Sequence, residues 1–231
     1  MPLLVDPALP EGTLRDATQP HLTAATGPPT HPSQDDGSSP GPLQSDGLVL
    51  RPWRRDDASA VLAAFTCPDI QRWHVRRLDT LEEATEWIDQ WPQRWTSETA
   101  ASWAVVDVGG GAIGGVEAAV GGGHGGDGLV VGQVGLRSIS LAEGSASLSY
   151  WVTPAARGRS VAARSVEVLS AWAFGSIGFN RLGIQHSTVN TASCRVAERT
   201  GYGVEGTLRQ AIKHADGWHD WHLHGRLRTD A

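Results

Sequence analysis

The chain has 231 residues, 40% of them hydrophobic and 19% charged, with a formal net charge of −6. That length and composition predict one packed domain plus a tail, and the acidic balance without a long basic block excludes an electrostatic nucleic-acid footprint. No stretch has the apolar length of a membrane span and the first residues lack the basic and apolar regions of a secretory signal, so a cytoplasmic protein without a membrane partner is expected. The two cysteines, Cys67 and Cys194, permit one disulfide but no framework, and a reduced setting fits them better.

Residues 1–46 are rich in Pro, Gly, Ser, Thr and Asp, and such a segment buries too little apolar surface to offset its chain entropy. They are read as a disordered tail, or as sequence upstream of the true start codon. The domain, residues 47–231, opens with a short strand at Leu48-Val49-Leu50-Arg51, followed by Pro52 and a helix launched by Asp56-Asp57 that runs to about Phe65. Pro68 breaks the chain. Asp79-Thr80-Leu81-Glu82-Glu83 reads as a capped helix start, with the helix continuing to about Trp95 and kinked at Pro92. Strands follow at 102–108, 112–120 and 130–141; the glycine-rich run from Gly121 to Gly128 between the last two lacks the lysine and the helix of a nucleotide loop, and reads as a long hairpin connection. The ten tryptophans supply core volume in a chain with few Phe and Tyr. The arginines at 51, 54 and 55 and at 72, 76 and 77 are expected on solvated helix faces.

Leu148-Ser149-Tyr150-Trp151-Val152 alternates as a strand, and Val161 to Phe174 has helical apolar spacing. Between them lies Arg157-Gly158-Arg159-Ser160-Val161-Ala162. A strand ending in a turn of small residues that launches a helix suits an anion: the first helical N–H groups lack internal partners, and the dipole adds about half a positive charge there. Two guanidinium groups in the turn match phosphate oxygens. Further on, a strand at Arg181 to Val189 precedes Asn190-Thr191-Ala192-Ser193, a helix from Cys194 to Thr200, and Gly201-Tyr202. Asn190 suits a helix N-cap and Gly201 a left-handed position after the helix, which accounts for both without a ligand. Tyr202 to Ala211 and Trp218 to Leu227 form the last two strands around a turn at Asp216-Gly217.

The turn at 157–162 resembles the pyrophosphate loop of the GCN5-related N-acetyltransferase (GNAT) superfamily, Arg/Gln-x-x-Gly-x-Gly/Ala, with Arg157 first, Ser160 in the first glycine's position and Ala162 last. The Asn-x-x-Ser, short helix and Gly-aromatic sequence resembles the second half of that family's core. Leu48-Val49-Leu50-Arg51-Pro52 with the Asp-Asp helix start resembles its RimJ/RimL-like branch.

The resemblance implies an α/β (α+β) fold: a mixed, mostly antiparallel sheet of six to seven strands flanked by about four helices and splayed between strands 4 and 5, that is, between Leu148–Val152 and Leu182–Thr188. It implies acetyl-CoA as co-substrate, held by Trp151, Val152 and Thr153 along the gap, by Arg157, Gly158, Arg159, Ser160, Val161 and Ala162 around the diphosphate, and by Asn190 and Ser193. The two N-terminal helices would form a wall of the acceptor site. Ser160 is a departure that is strained if its position needs positive φ.

The reaction implied is direct acetyl transfer to a primary amine, either a protein N-terminus or a small molecule; the alternative is a coenzyme-A-binding sensor or scaffold without transfer. Relatives often carry Glu where this chain has Ser147, so the carboxylate base is absent there. His186 is the substitute candidate, with Tyr150 as a donor to the leaving thiolate, while a half-buried structural histidine, a packing tyrosine and a water relay remain open. His222 and His224 share one face of a strand, but two histidines without a third ligand predict no metal site. A homodimer is left open.

Overall fold

The computed structural model describes residues 9, 12–14, 43–45, 47–74, 76–109 and 128–230. The strand expected at 112–120 and the glycine-rich connection up to residue 127 lie outside them, as does most of the segment read as a tail. The strands are β1 (Leu43–Ser45), β2 (Leu48–Arg51), β3 (Ala101–Asp107), β4 (Leu129–Ser140), β5 (Ser145–Val152), β6 (Arg181–Ser187), β7 (Gly203–His214) and β8 (Gly217–Leu227). They form one sheet in the order β1-β2-β3-β4-β5-β6-β8-β7. Every pairing is antiparallel except β5 with β6. The mixed, mostly antiparallel sheet is as expected; among the described residues it has 8 strands, β1 being an added one that pairs with β2 as a hairpin.

The helices are α1 (Ala58–Thr66), α2 (Pro68–Gln71), α3 (Leu81–Asp89), α4 (Trp91–Thr96), α5 (Val161–Trp172) and α6 (Thr191–Arg199). The helix expected up to Trp95 is two: α3 ends at Asp89, and Pro92 lies in the first turn of α4, where a missing N–H costs nothing. Thr80 caps α3 as its sequence predicts, accepting from Glu83 N at 3.2 Å while Glu83 reaches back to Thr80 N. Pro68 opens α2 rather than only breaking the chain. None of the helices among the described residues is long and apolar enough to cross a membrane.

The main core packs the sheet against α5, through Trp103, Leu136, Leu148, Leu182 and Ile184 on strands and Val166, Leu169 and Trp172 on the helix. A second cluster joins α1 and α3 through Val61, Phe65, Ala84, Trp87 and Ile88. Six tryptophans (87, 91, 95, 103, 151 and 172) are buried, whereas Trp218 is exposed. Leu9 and Leu14 also belong to the main core, and the Gly12 and Leu14 N–H groups donate to the Glu98 carboxylate. The reading of residues 1–46 as disordered is therefore corrected at these positions. Two leucines in a polar, Pro-rich background leave no periodic signal, yet each finds an apolar slot.

Arg51 is not on a solvated helix face. It ends β2 buried, its Nη1 and Nη2 donating to the two Asp57 oxygens at 2.7 and 2.8 Å, while Arg54 N donates to the same carboxylate at 2.8 Å. The fork ties β2 to the start of α1. Asp57→Asn leaves a buried guanidinium half-paired, and loss of one partner of such a pair costs about 3 kcal/mol or more. The expected outcome is a lower denaturant midpoint at unchanged slope.

Candidate active site

The parallel pair β5–β6 is hydrogen-bonded only from Ser145/Arg181 to Leu148/Ile184. Beyond that rung Ser149 to Val152 pair with β4 alone and Gln185 to Ser187 with β8 alone. One backbone edge of β5 is thus open over four residues, and it runs into the turn that launches α5. The segments that part lie within those named from sequence, which began too early: Leu148 and Leu182 to Ile184 are still paired. Of the three residues expected to line the gap, Trp151 has a buried side chain whose Nε1 has no partner among the described residues, and it packs against Trp53 and Phe65. Val152 is half-buried. Thr153 has its N–H committed to Val131 O at 2.9 Å, so that group is not free for a ligand.

The turn itself is exposed from Arg157 to Ser160. Gly158 has φ +77° with open space where a Cβ would stand. Ser160 has φ 57° and ψ 22° as the N-cap of α5, and its side chain makes no cap hydrogen bond. The position does require the left-handed region, so the serine is strained where glycine is not. The first turn of α5 holds no acidic residue to offset the helix dipole. Val161 turns its side chain into the core and Ala162 is half-buried. Arg157 reaches Asp69 and Arg159 reaches Asp107, each at 2.6 Å. The Arg157–Asp69 pair faces solvent and is worth little, so an incoming anion can compete for that guanidinium, whereas the Asp107 side chain is only 9% exposed and holds Arg159 more firmly.

Across the gap, Asn190 caps α6 by accepting from Ser193 N at 3.2 Å. Tyr150 spans the splay: its hydroxyl donates to Ser193 O at 3.3 Å, and burial pushes its pKa up to about 12. The proton expected to serve a leaving thiolate instead points at a main-chain carbonyl, and the residue ties α6 to β5.

His186 is 5% exposed. Burial lowers its pKa, against an opposing hydrogen bond from Nδ1 to Ser187 O at 2.8 Å. Its Nε2 lies 3.1 Å from His224 Nε2. Its Nδ1 is committed to a carbonyl, and its Nε2 faces the His224 ring rather than solvent. The β6–β8 register sets His186 opposite His222, and Cys194 of α6 closes on the same spot. The sequence expectation that His222 and His224 lack further ligands is corrected: His186 and Cys194 stand beside them.

A second chain of groups was not anticipated. Ser187 Oγ lies 2.7 Å from His219 Nδ1, and His219 Nε2 lies 3.0 Å from Asp216 Oδ1. Asp216 also meets Arg72 Nη2 at 3.2 Å, and Trp73 packs edge-on to His214 and His219. The link after α2 therefore lies against the β7–β8 turn. The serine–imidazole–carboxylate order can carry a proton outward from the end of β6. Its sequence signal was faint: His219 lay in the Trp-His-rich run of β8, and Ser187 beside His186.

Comparison with known proteins identifies the family and the fold. Residues 47–203 match the family model described as "Acetyltransferase (GNAT) domain". An uncharacterized N-acetyltransferase of Bacillus subtilis (strain 168), YoaA, is 22% identical over 169 residues, 73% of this chain and 86% of that protein. Among solved structures, RimL, a ribosomal L7/L12 alpha-N-protein acetyltransferase in complex with coenzyme A, superposes with a TM-score of 0.69 at 17% identity, covering 80% of this chain and 97% of that one. Mycobacterium smegmatis RimJ in complex with CoA-disulfide gives 0.66 at 19%, covering 81% and 86%.

The left-handed Ser160 makes a test of the turn. A β-branched side chain there adds strain of about 1–2 kcal/mol, whereas Ser160→Gly relieves strain but loosens the unfolded chain. In denaturant melts Ser160→Val should be clearly destabilised, and Ser160→Gly should fall within about 1 kcal/mol of the parent.

Proposed function

Because the chain belongs to the GNAT acetyltransferase family, we propose that it moves the acetyl group of acetyl-CoA directly to a primary amine, with a protein N-terminal amine favoured over a small-molecule one. The observation that carries this reading is the open edge of β5 from Ser149 to Val152 running into a left-handed turn at the N-terminus of α5. An unpaired strand edge suits an extended pantetheine, as an added strand would pair with it. The turn from Arg157 to Ala162 suits a diphosphate, and Asn190 and Ser193 stand on the far side of the gap. The preference for a peptide acceptor rests on the fold neighbours that act on ribosomal proteins.

The bound thioester supplies the activated acyl group. The chain's own residues hold the reactants together, which removes much of the entropic barrier, and take the proton the amine must lose. Ser147 pairs with Gly183 in the closed part of the sheet and contributes no carboxylate. The chain Ser187–His219–Asp216 offers a proton path beside His186: Ser187 passes the amine proton to His219, and Asp216 stabilises the imidazolium. Tyr150 acts by positioning α6. The reduced thiols Cys67 and Cys194 fit a cytoplasmic setting.

Calorimetry with acetyl-CoA and a thiol-release assay across N-terminal peptides and small amines test this. One-to-one binding with thiol release on a peptide subset is expected. Binding without release on any acceptor would make the domain a coenzyme-A sensor or scaffold, and no binding would remove the assignment of the turn. His219→Gln should lower turnover about a hundredfold or more while leaving acetyl-CoA affinity unchanged.

A further inference from the structure

Four side chains at the end of β6 have no use in the reaction above. One ligand atom from each of His186, Cys194, His222 and His224 lies within 4.8 Å of every other. Two of the histidines have their tautomer set by the backbone. His186 Nδ1 faces Ser187 O at 2.8 Å and His224 Nδ1 faces Tyr202 O at 3.1 Å. A carbonyl oxygen can only accept, so each Nδ1 carries the proton and each neutral ring presents a bare lone pair at Nε2. Those two Nε2 atoms lie 3.1 Å apart on rings inclined by 27°. Two lone pairs at that distance repel unless a positive charge lies between them. His222 adds a buried Nδ1 without a partner among the described residues. Cys194 Sγ makes only a long contact of 3.5 Å to Glu198 Oε1, which is easily given up.

We propose that His186, His222, His224 and Cys194 form a tetrahedral site of three imidazole nitrogens and one thiolate sulfur for a divalent transition ion, with Zn2+ the ion that fits. Imidazole and thiolate donors in four-fold arrangement suit zinc, and oxygen-seeking Mg2+ and Ca2+ find no oxygen among these four donors. A tetrahedron with Zn–N of about 2.0 Å and Zn–S of about 2.3 Å has edges of roughly 3.3–3.6 Å. The His186–His224 separation is already near that length, and the widest pair closes by about an ångström. The outer partners are also in place, since zinc-bound histidines donate their second N–H to a carbonyl or carboxylate and two of these three do so. A proton shared between His186 and His224 would relieve that pair alone and leave His222 and Cys194 unexplained.

With four protein ligands the ion has no open position, so its role is structural. It joins β6, β8 and α6, and so braces the side of the splay that carries Asn190 and Ser193. It also commits His186 fully, in keeping with a proton path through His219.

The test uses the full chain, reduced and stripped with a chelator, and titrated with Co2+ and then Zn2+. One equivalent of Co2+ should bind with intense tetrahedral d–d bands and a sulfur-to-cobalt charge-transfer band, and Zn2+ should displace it. Cys194→Ser should abolish the charge-transfer band, and His222→Ala should weaken Zn2+ binding by at least the roughly tenfold that loss of an outer-shell partner costs elsewhere. In a Cys67→Ser background, Zn2+ should protect the one remaining thiol from a disulfide reagent and chelator should expose it again; this readout needs no change to the cluster. A protein that binds no Co2+, leaves its Cys194 unprotected, or gives a cobalt spectrum indifferent to Cys194→Ser overturns the site. Acetyl-CoA binding is a separate measurement, so failure of either assignment leaves the other standing.

Discussion

The parting of β5 from β6 after the Leu148–Ile184 rung governs the rest of the molecule. Backbone N–H and C=O groups are obligatory hydrogen-bonding groups, and a strand edge left without a neighbour must find water or a ligand. The fold keeps this edge open by anchoring both ends of the notch. Below it, four parallel rungs hold the strands together. Above it, Tyr150 reaches across to Ser193 O, fixing the distance between β5 and the start of α6 without filling the gap with sheet. On the outer flanks β4 and β8 pair with the parted stretches of β5 and β6, so neither strand can swing to close the notch without breaking a ladder.

Charge around the notch is arranged with restraint. Arg157 and Arg159 are each paired with a carboxylate, from α2 and the end of β3 respectively. Both pairs hold the turn in shape; only Arg157–Asp69 is exposed on both sides and so costs an anion little to replace. The positive end of α5 is unopposed by any acid of its own first turn. An anion placed there would meet main-chain dipoles as well as side chains.

The β7–β8 hairpin carries a different chemistry. His219 points one way, toward Ser187 and the turn at Asp216; His222 and His224 meet His186 and Cys194. One strand thus contributes to two separate polar clusters, because side-chain position along a strand decides which neighbours a residue reaches. The relay lies near the link after α2, and the histidine–cysteine cluster lies under α6.

What could be read from the linear sequence was whatever depends on near neighbours. The strand–turn–helix junction at Val152 to Val161, the Thr80 capping box and the Asn190 cap are each complete within a few residues, so residue type alone specifies them. The parting strands followed from the family resemblance that those local motifs carried. Distant partners were invisible. Arg51 reads as a surface arginine until Asp57 folds back on it, and Leu14 as part of a polar tail until it enters the core. His186 meets His222 and His224 only because β6 lies on β8 in one register, and a slip of one residue would turn each strand's side chains to the other face. The sequence by itself determined the small-residue turn that launches α5 and the order of elements around it; the tertiary structure alone decided which histidines share a cluster, because that depends on strand register and helix docking, which no short stretch of chain contains.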